Sequence, residues 1–168
     1  MLNPQLTQDP ANFNFVQSTV STKFSQGAPN PKKPTETLPP QHLKAVASQL
    51  EKHPEDAKKF PALHVFTVDD PDTQETLTFS LDTRRLLTFK MGKVHQARVE
   101  RATVRDLRTS TWKMTHENGG YTPPTMTDMN ARKDAMPETY TTLYKLRREI
   151  EQASQAEDAL CAQQHVAD

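Results

Sequence analysis

Cysteine is nearly absent from this chain: Cys161 is the single thiol in 168 residues. One thiol forms no intrachain disulfide and supplies no zinc-ligand spacing, which fits a reducing compartment or an intracellularly assembled particle. Glycine is also scarce, and the four present, at 27, 92, 119 and 120, cannot make a phosphate-cradling loop. No apolar run approaches the ~18 residues that cross a bilayer. The opening MLNPQLTQDP has neither a basic region nor an apolar one, so export through a signal peptide is not expected, and no Asn-x-Ser/Thr sequon occurs. Apolar residues reach only 34%, below the roughly 45–50% of an ordinary globular chain. Part of the chain is therefore read as not forming core, and its length allows one modest domain.

Catalytic and metal-binding patterns are missing as well. His42, His53, His64 and His95 are scattered, and His116-Glu117 has no second histidine at metal spacing. Cys161 and His165 stand four apart, one above the other on a helix, but a terminal turn offers no third ligand or oxyanion donor. Asp69, Asp70 and Asp72 with Glu75 lack the spacing and glycine of an EF-hand loop and read as a solvated turn. No enzyme activity, metal or cofactor is expected.

What the chain does have is proline at one end and basic charge in the middle. Seven of the thirteen prolines fall within the first 40 residues. That stretch is expected to be an extended arm, 1–40, with the polyproline bias of a spacer. Its one apolar cluster, FNFVQSTVSTKF, contains Phe13, Phe15, Val16, Val20 and Phe24 and is too small to fold alone. We read those five side chains as an anchor for another subunit.

Charge cancels overall, with 21 basic and 21 acidic residues, yet it is unevenly placed. Residues 1–83 carry −3, 84–113 carry +7 and 114–168 carry −4. A free-standing nucleic-acid binder usually has a basic excess overall, whereas acidic flanks suit contacts between proteins.

After the arm, QHLKAVASQLEK places Leu43, Val46, Ala47 and Leu50 on one helical face. HPEDAKKF has Pro54 at a first-turn position with Glu55 and Asp56 beside the positive end. ALHVFTV and TLTFSL alternate as strands around the turn DDPDTQ, and LLTFKM repeats the alternation through Leu87, Phe89 and Met91. HQARVERATVRDLR then brings Arg98, Arg101, Arg105 and Arg108, a candidate basic contact surface. As a helix it would gather the four arginines within about 80°. β-branched Val99, Thr103, Val104, Thr109 and Thr111 favour strands at 94–103 and 107–115 instead, broken near Asp106, with Trp112 on the second.

The expected fold is thus α+β: a helix plus an antiparallel β-meander over 41–115, an irregular loop at 116–136 and a long C-terminal helix over 137–168. The helix stripe runs Leu143, Leu146, Ile150, Ala153 and Leu160, interrupted by Glu157. The function expected from this architecture is non-enzymatic. It is a structural or interaction subunit of a large assembly, most plausibly a virus or phage particle, binding neighbouring subunits through arm and loop in a virion or cytoplasmic assembly, with no membrane. The alternative is a nucleic-acid-associated factor that uses 84–113 to neutralise phosphates.

Overall fold

The computed structural model describes residues 7–24, 29–30, 33–37, 41–70, 73–116, 123–127 and 142–166. Most of the 116–136 loop, the 137–141 start of the last helix, and parts of the proline-rich stretch lie outside the described residues. In chain order the elements begin with β1 (Thr7–Gln8), β2 (Asn14–Phe15), β3 (Thr19–Ser21), β4 (Pro29–Asn30) and β5 (Lys33–Thr37). Then come α1 (Leu43–Lys52), β6 (Leu63–Asp69), β7 (Thr76–Ser80), α2 (Thr83–Met91) and β8 (Ala97–Arg101). The last are α3 (Val104–Thr109), β9 (Thr125–Thr127) and α4 (Thr142–Val166). Short 3-10 turns occupy Pro10–Asn12, Pro54–Lys59 and Thr111–Lys113. No described helix is long and apolar enough to cross a membrane.

Several local expectations hold for the reasons that suggested them. α1 buries Leu43, Val46, Ala47 and Leu50 as one face, and its first turn is capped by His42, whose Nδ1 accepts from the Lys44 amide at 3.1 Å. Pro54 opens the 3-10 turn, with Glu55 and Asp56 in its first turn and Lys58 and Lys59 in its last. β6 and β7 pair antiparallel, and the turn between them is closed by the Asp70 amide donating to Glu75 O and by Thr76 Oγ1 donating to Asp69 Oδ1, both at 2.8 Å. Gln74 takes φ 59° there, a left-handed position in the tight return.

The sheet, however, is not an antiparallel meander. Its five strands run in the order β1-β8-β6-β7-β2, and they are mixed: β2 is parallel to β7 and β6 parallel to β8, while β1–β8 and β6–β7 are antiparallel. A separate parallel pair joins β3 to β9, and β4 and β5 form an antiparallel hairpin.

Two expectations are corrected by this topology. LLTFKM is not a strand; it is the body of α2, which buries Leu86, Leu87 and Phe89. The edge of β7 that a following hairpin strand would have used is taken by β2. The chain must instead pass over β6 to reach β8, and it does so as a helix. Gly92 ends that helix against α1: a Cβ there would lie 2.9 Å from Ala47 O and 3.1 Å from Leu50 Cβ.

The second correction concerns 107–115. Instead of a strand, the chain forms α3 and a 3-10 turn carrying Trp112. The break foreseen near Asp106 is a capping box: Thr103 Oγ1 accepts from the Asp106 amide at 3.1 Å and Asp106 Oδ2 from the Thr103 amide at 2.9 Å. Local capping overrides the β-branched composition.

The N-terminal segment also departs from the reading of an arm beside a domain. Its residues 7–8 and 14–15 form the two edge strands, β1 and β2, of the sheet. Phe13, Phe15, Val16 and Val20 are 2%, 1%, 0% and 1% exposed. Phe13, Phe15 and Val20 join Leu43, Leu50, Leu63, Leu86 and Phe89 in a core on the α1 and α2 face; Phe24 packs at its margin, its ring 6.4 Å from that of Phe60. Val16 points the other way, into a second core with Phe66, Phe79, Leu81, Met114 and Leu143. The side chains read as a docking anchor for a neighbour are thus consumed by the chain's own fold. The four fully buried ones, Phe13, Phe15, Val16 and Val20, each contribute roughly 1.5–3 kcal/mol on burial.

Candidate interaction surface

Cations of the basic segment 84–113 add to what holds this N-terminal segment and also brace later turns. Arg84 Nη1 donates to Lys23 O at 3.0 Å, and Arg85 Nη1 to Ala62 O at 3.1 Å. Lys90 Nζ donates to Phe13 O and stands 4.7 Å from the centroid of the Phe15 ring. Arg98 donates through Nε, at 3.2 Å, and through Nη2 to Phe60 O, and Lys113 Nζ reaches Leu81 O at 3.4 Å. Five cations of one segment therefore brace main-chain carbonyls from 23 to 77 residues away in sequence. Carbonyls left unpaired where loops leave the sheet are costly when covered, and a long cationic side chain satisfies them with a charge-assisted bond. Burial holds the Arg84 guanidinium below its ordinary value, with the neighbouring Arg85 adding to the effect. Burial likewise lowers Lys90, partly offset by Asp9.

The four arginines of the sequence stripe separate accordingly. Arg98 and Arg101 lie on β8, Arg105 and Arg108 on α3, so they form neither the single helical stripe nor the two faces of one strand. Arg98 is half-buried on the Phe60 carbonyl, and Arg108 is half-buried. Arg101 and Arg105 are exposed, and their guanidinium groups make no hydrogen bond or ion pair among the described residues. Between them sits Val104, 65% exposed, the one large apolar side chain so exposed among the described residues. The Ala102 amide donates to Val65 O at 2.8 Å and the capping box fixes Thr103, so the backbone presenting these three side chains is held on both sides. Asp106 is kept below the usual carboxylate range by the hydrogen bonds from Thr103 and remains an anion bound to its own helix. In sequence the exposed positions run arginine, valine, arginine at 101, 104 and 105.

A polar cluster near this patch has no clear sequence signal. Parallel pairing sets His64 opposite Glu100, and the end of β7 brings Asp82 alongside. Asp82 Oδ2 lies 3.0 Å from His64 Nδ1 and accepts the His64 amide at 2.6 Å; its Oδ1 lies 3.2 Å from Arg85 Nη1. His64 Nε2 is 3.6 Å from Glu100 Oε2. A carboxylate-oriented imidazole is the supporting part of a nucleophilic site, but here the second nitrogen faces another carboxylate, where a hydroxyl or thiol would be needed. Electrostatically the cluster cross-links β6, β8 and the start of α2. Its members are 18 and 36 positions apart, so only strand register unites them.

Among the described residues the remaining candidates assemble no site. Among the described residues no group of three histidine, cysteine or acidic side chains is placed to hold a metal. Asp69 is engaged with Thr76. Trp112 is half-buried, with Lys113 Nζ 5.4 Å over its ring, on a 3-10 turn that offers no stacking platform. Cys161 and His165 lie on α4. No family model, no curated protein and no solved structure matches the chain.

Proposed function

We propose that the chain is a non-enzymatic interaction subunit that contacts an acidic protein surface through Arg101, Val104 and Arg105. One observation carries this reading: Val104 is an exposed apolar side chain flanked in sequence by Arg101 and Arg105, both exposed and bonded to none of the described residues, in a segment whose other cations are mostly engaged within the fold. An apolar centre with a cationic rim is the usual anatomy of a protein contact. The arm's reach across neighbours was the physical reason for a virus or phage particle. With Phe13, Phe15, Val16 and Val20 in the chain's own core, that reason falls away and the assembly is left undefined.

Nucleic acid is the competing partner, and two exposed arginines are few for it, since affinity grows with each phosphate neutralised. The test is a photo-crosslinking residue at position 104, in cells of the native source, beside the same residue at exposed position 44. A discrete protein adduct at 104 that disappears with Arg101→Glu is expected. An adduct to nucleic acid, or a purified chain that binds DNA or RNA with a steep salt dependence abolished by Arg101→Ala and Arg105→Ala, would overturn the proposal.

A further inference from the structure

Along β6 the main chain bonds alternately to either side. His64 O accepts the Leu81 amide and the Asp70 amide donates to Glu75 O, both toward β7, while Val65 O accepts the Ala102 amide from the β8 side. Even-numbered positions of β6 therefore turn their N–H and C=O to β7, and odd-numbered ones turn theirs the other way. The register with β8 ends at Val65 opposite Arg101, because the chain leaves the sheet after Ala102 and enters α3 at Val104. β6 itself continues to Asp69. The N–H and C=O of Thr67 and Asp69 are thus aimed along the side that β8 has left, and both residues are exposed. No main-chain bond from another described residue reaches them there.

An open strand edge is a template for another strand. This one carries its own complement. From Asp69 the chain turns through an acidic segment, with Asp69 and Glu75 exposed and Asp70 half-buried, while the exposed Arg101 and Arg105 stand at and after the last pairing of β8 with β6. Two copies laid antiparallel about a two-fold axis through Val68 set Thr67 of each opposite Asp69 of the other. The chain beyond Asp69 of the second copy then runs back toward the level of Val65, which is the level of Arg101. Acidic turn meets basic segment twice, once on each side of the axis. Zero net charge removes the long-range repulsion that would otherwise oppose joining two copies.

We infer that the chain pairs with a second copy of itself through the Thr67–Asp69 edge of β6, the turn of Asp69, Asp70 and Glu75 in each copy facing Arg101 and Arg105 of the other. The inference rests on the reading of Arg101, Val104 and Arg105 as a protein contact, and it names the partner. Strand addition satisfies the main-chain groups of Thr67 and Asp69, and the charges fix the antiparallel sense. The paired edge is short, so the association is reversible and not obligate.

The experiment is sedimentation velocity of the full chain at rising concentration, in low and in high salt. A monomer–dimer equilibrium that weakens with salt is expected. The amides of Thr67 and Asp69 should exchange with solvent quickly in the dilute chain and be protected in the concentrated one. Arg101→Glu with Arg105→Glu should weaken self-association about tenfold or more, and so should Asp69→Lys with Glu75→Lys. Mixing the two variant chains should restore it, since each then meets its opposite. A chain monomeric at every concentration, exchange at 67 and 69 independent of concentration, or self-association untouched by both charge reversals would overturn the inference. If the chain stays monomeric while position 104 crosslinks a different protein, only the second-copy partner fails; the absence of any protein adduct at 104 sinks the reading beneath it.

Discussion

Replacing Phe15 by alanine is expected to cost the protein about 3–5 kcal/mol of folding free energy, the range for a buried phenylalanine deleted from a core. The ring is 1% exposed and packs among Phe13, Val20, Leu43, Leu86 and Phe89. It also lies under Lys90 Nζ at 4.7 Å, an attraction of about 0.5–1 kcal/mol that the substitution removes as well. Against a total stability of about 5–15 kcal/mol, the loss is severe without being certain to unfold the chain. Urea denaturation of the isolated monomer, followed by circular dichroism, is the assay. With a slope of about 2 kcal/mol per molar, the midpoint should fall by about 1.5–2.5 M at unchanged slope. Phe24→Ala, at the margin of the same core, should cost less. Were residues 7–24 an arm that orders only on a partner, Phe15→Ala would behave as a surface change, within about 0.5 kcal/mol. A midpoint shift below ~0.3 M in the monomer would refute the reasoning.

Arg98→Met keeps the aliphatic stem but leaves Phe60 O without its two donors; a loss of about 1–3 kcal/mol in the same urea assay is expected. Arg101→Met, which loses no bond among the described residues, should be near neutral. Gly92→Ala drives a methyl group against Ala47 O and Leu50 and should cost about 1–3 kcal/mol by forcing α1 and α2 apart, visible as a lowered thermal midpoint. The Asp106 carboxylate is depressed by Thr103, so its contribution to α3 is complete above the unfolded aspartate value of about 3.9 and is lost as pH falls through the lower folded value. Carbon chemical shifts of 104–109 should therefore lose helical character at the acid end of a titration in the native protein. In Asp106→Asn that acid-dependent part should be missing.

Much of the local structure was legible because it depends on near neighbours. The Leu43, Val46, Ala47 and Leu50 face, the Pro54 turn, and the two alternating strands around DDPDTQ each carry their own periodicity or turn chemistry. α2 was not legible, since Leu87, Phe89 and Met91 alternate as a strand would while Leu86 and Phe89 equally suit a helix. The choice between them was made by β2 on the β7 edge. The basic segment misled in a related way: its charge count was correct, but nothing local reveals that Arg84, Lys90 and Arg98 end on carbonyls of Lys23, Phe13 and Phe60. Of the four arginines singled out, Arg101 and Arg105 remain in the proposed contact, and nothing local marks Val104 between them as exposed.

The sequence by itself determined an α+β chain with no membrane-crossing helix, its first amphipathic helix, its central hairpin and its long last helix, because periods of two and 3.6 and the chemistry of turns act over a few residues. Tertiary structure alone decided that residues 7–15 close both edges of the sheet, that 83–91 is a helix, and that five cations of the basic segment end on main-chain carbonyls. Those outcomes depend on which strand edge and which carbonyls are left unpaired elsewhere in the chain, a long-range competition that local pattern does not encode.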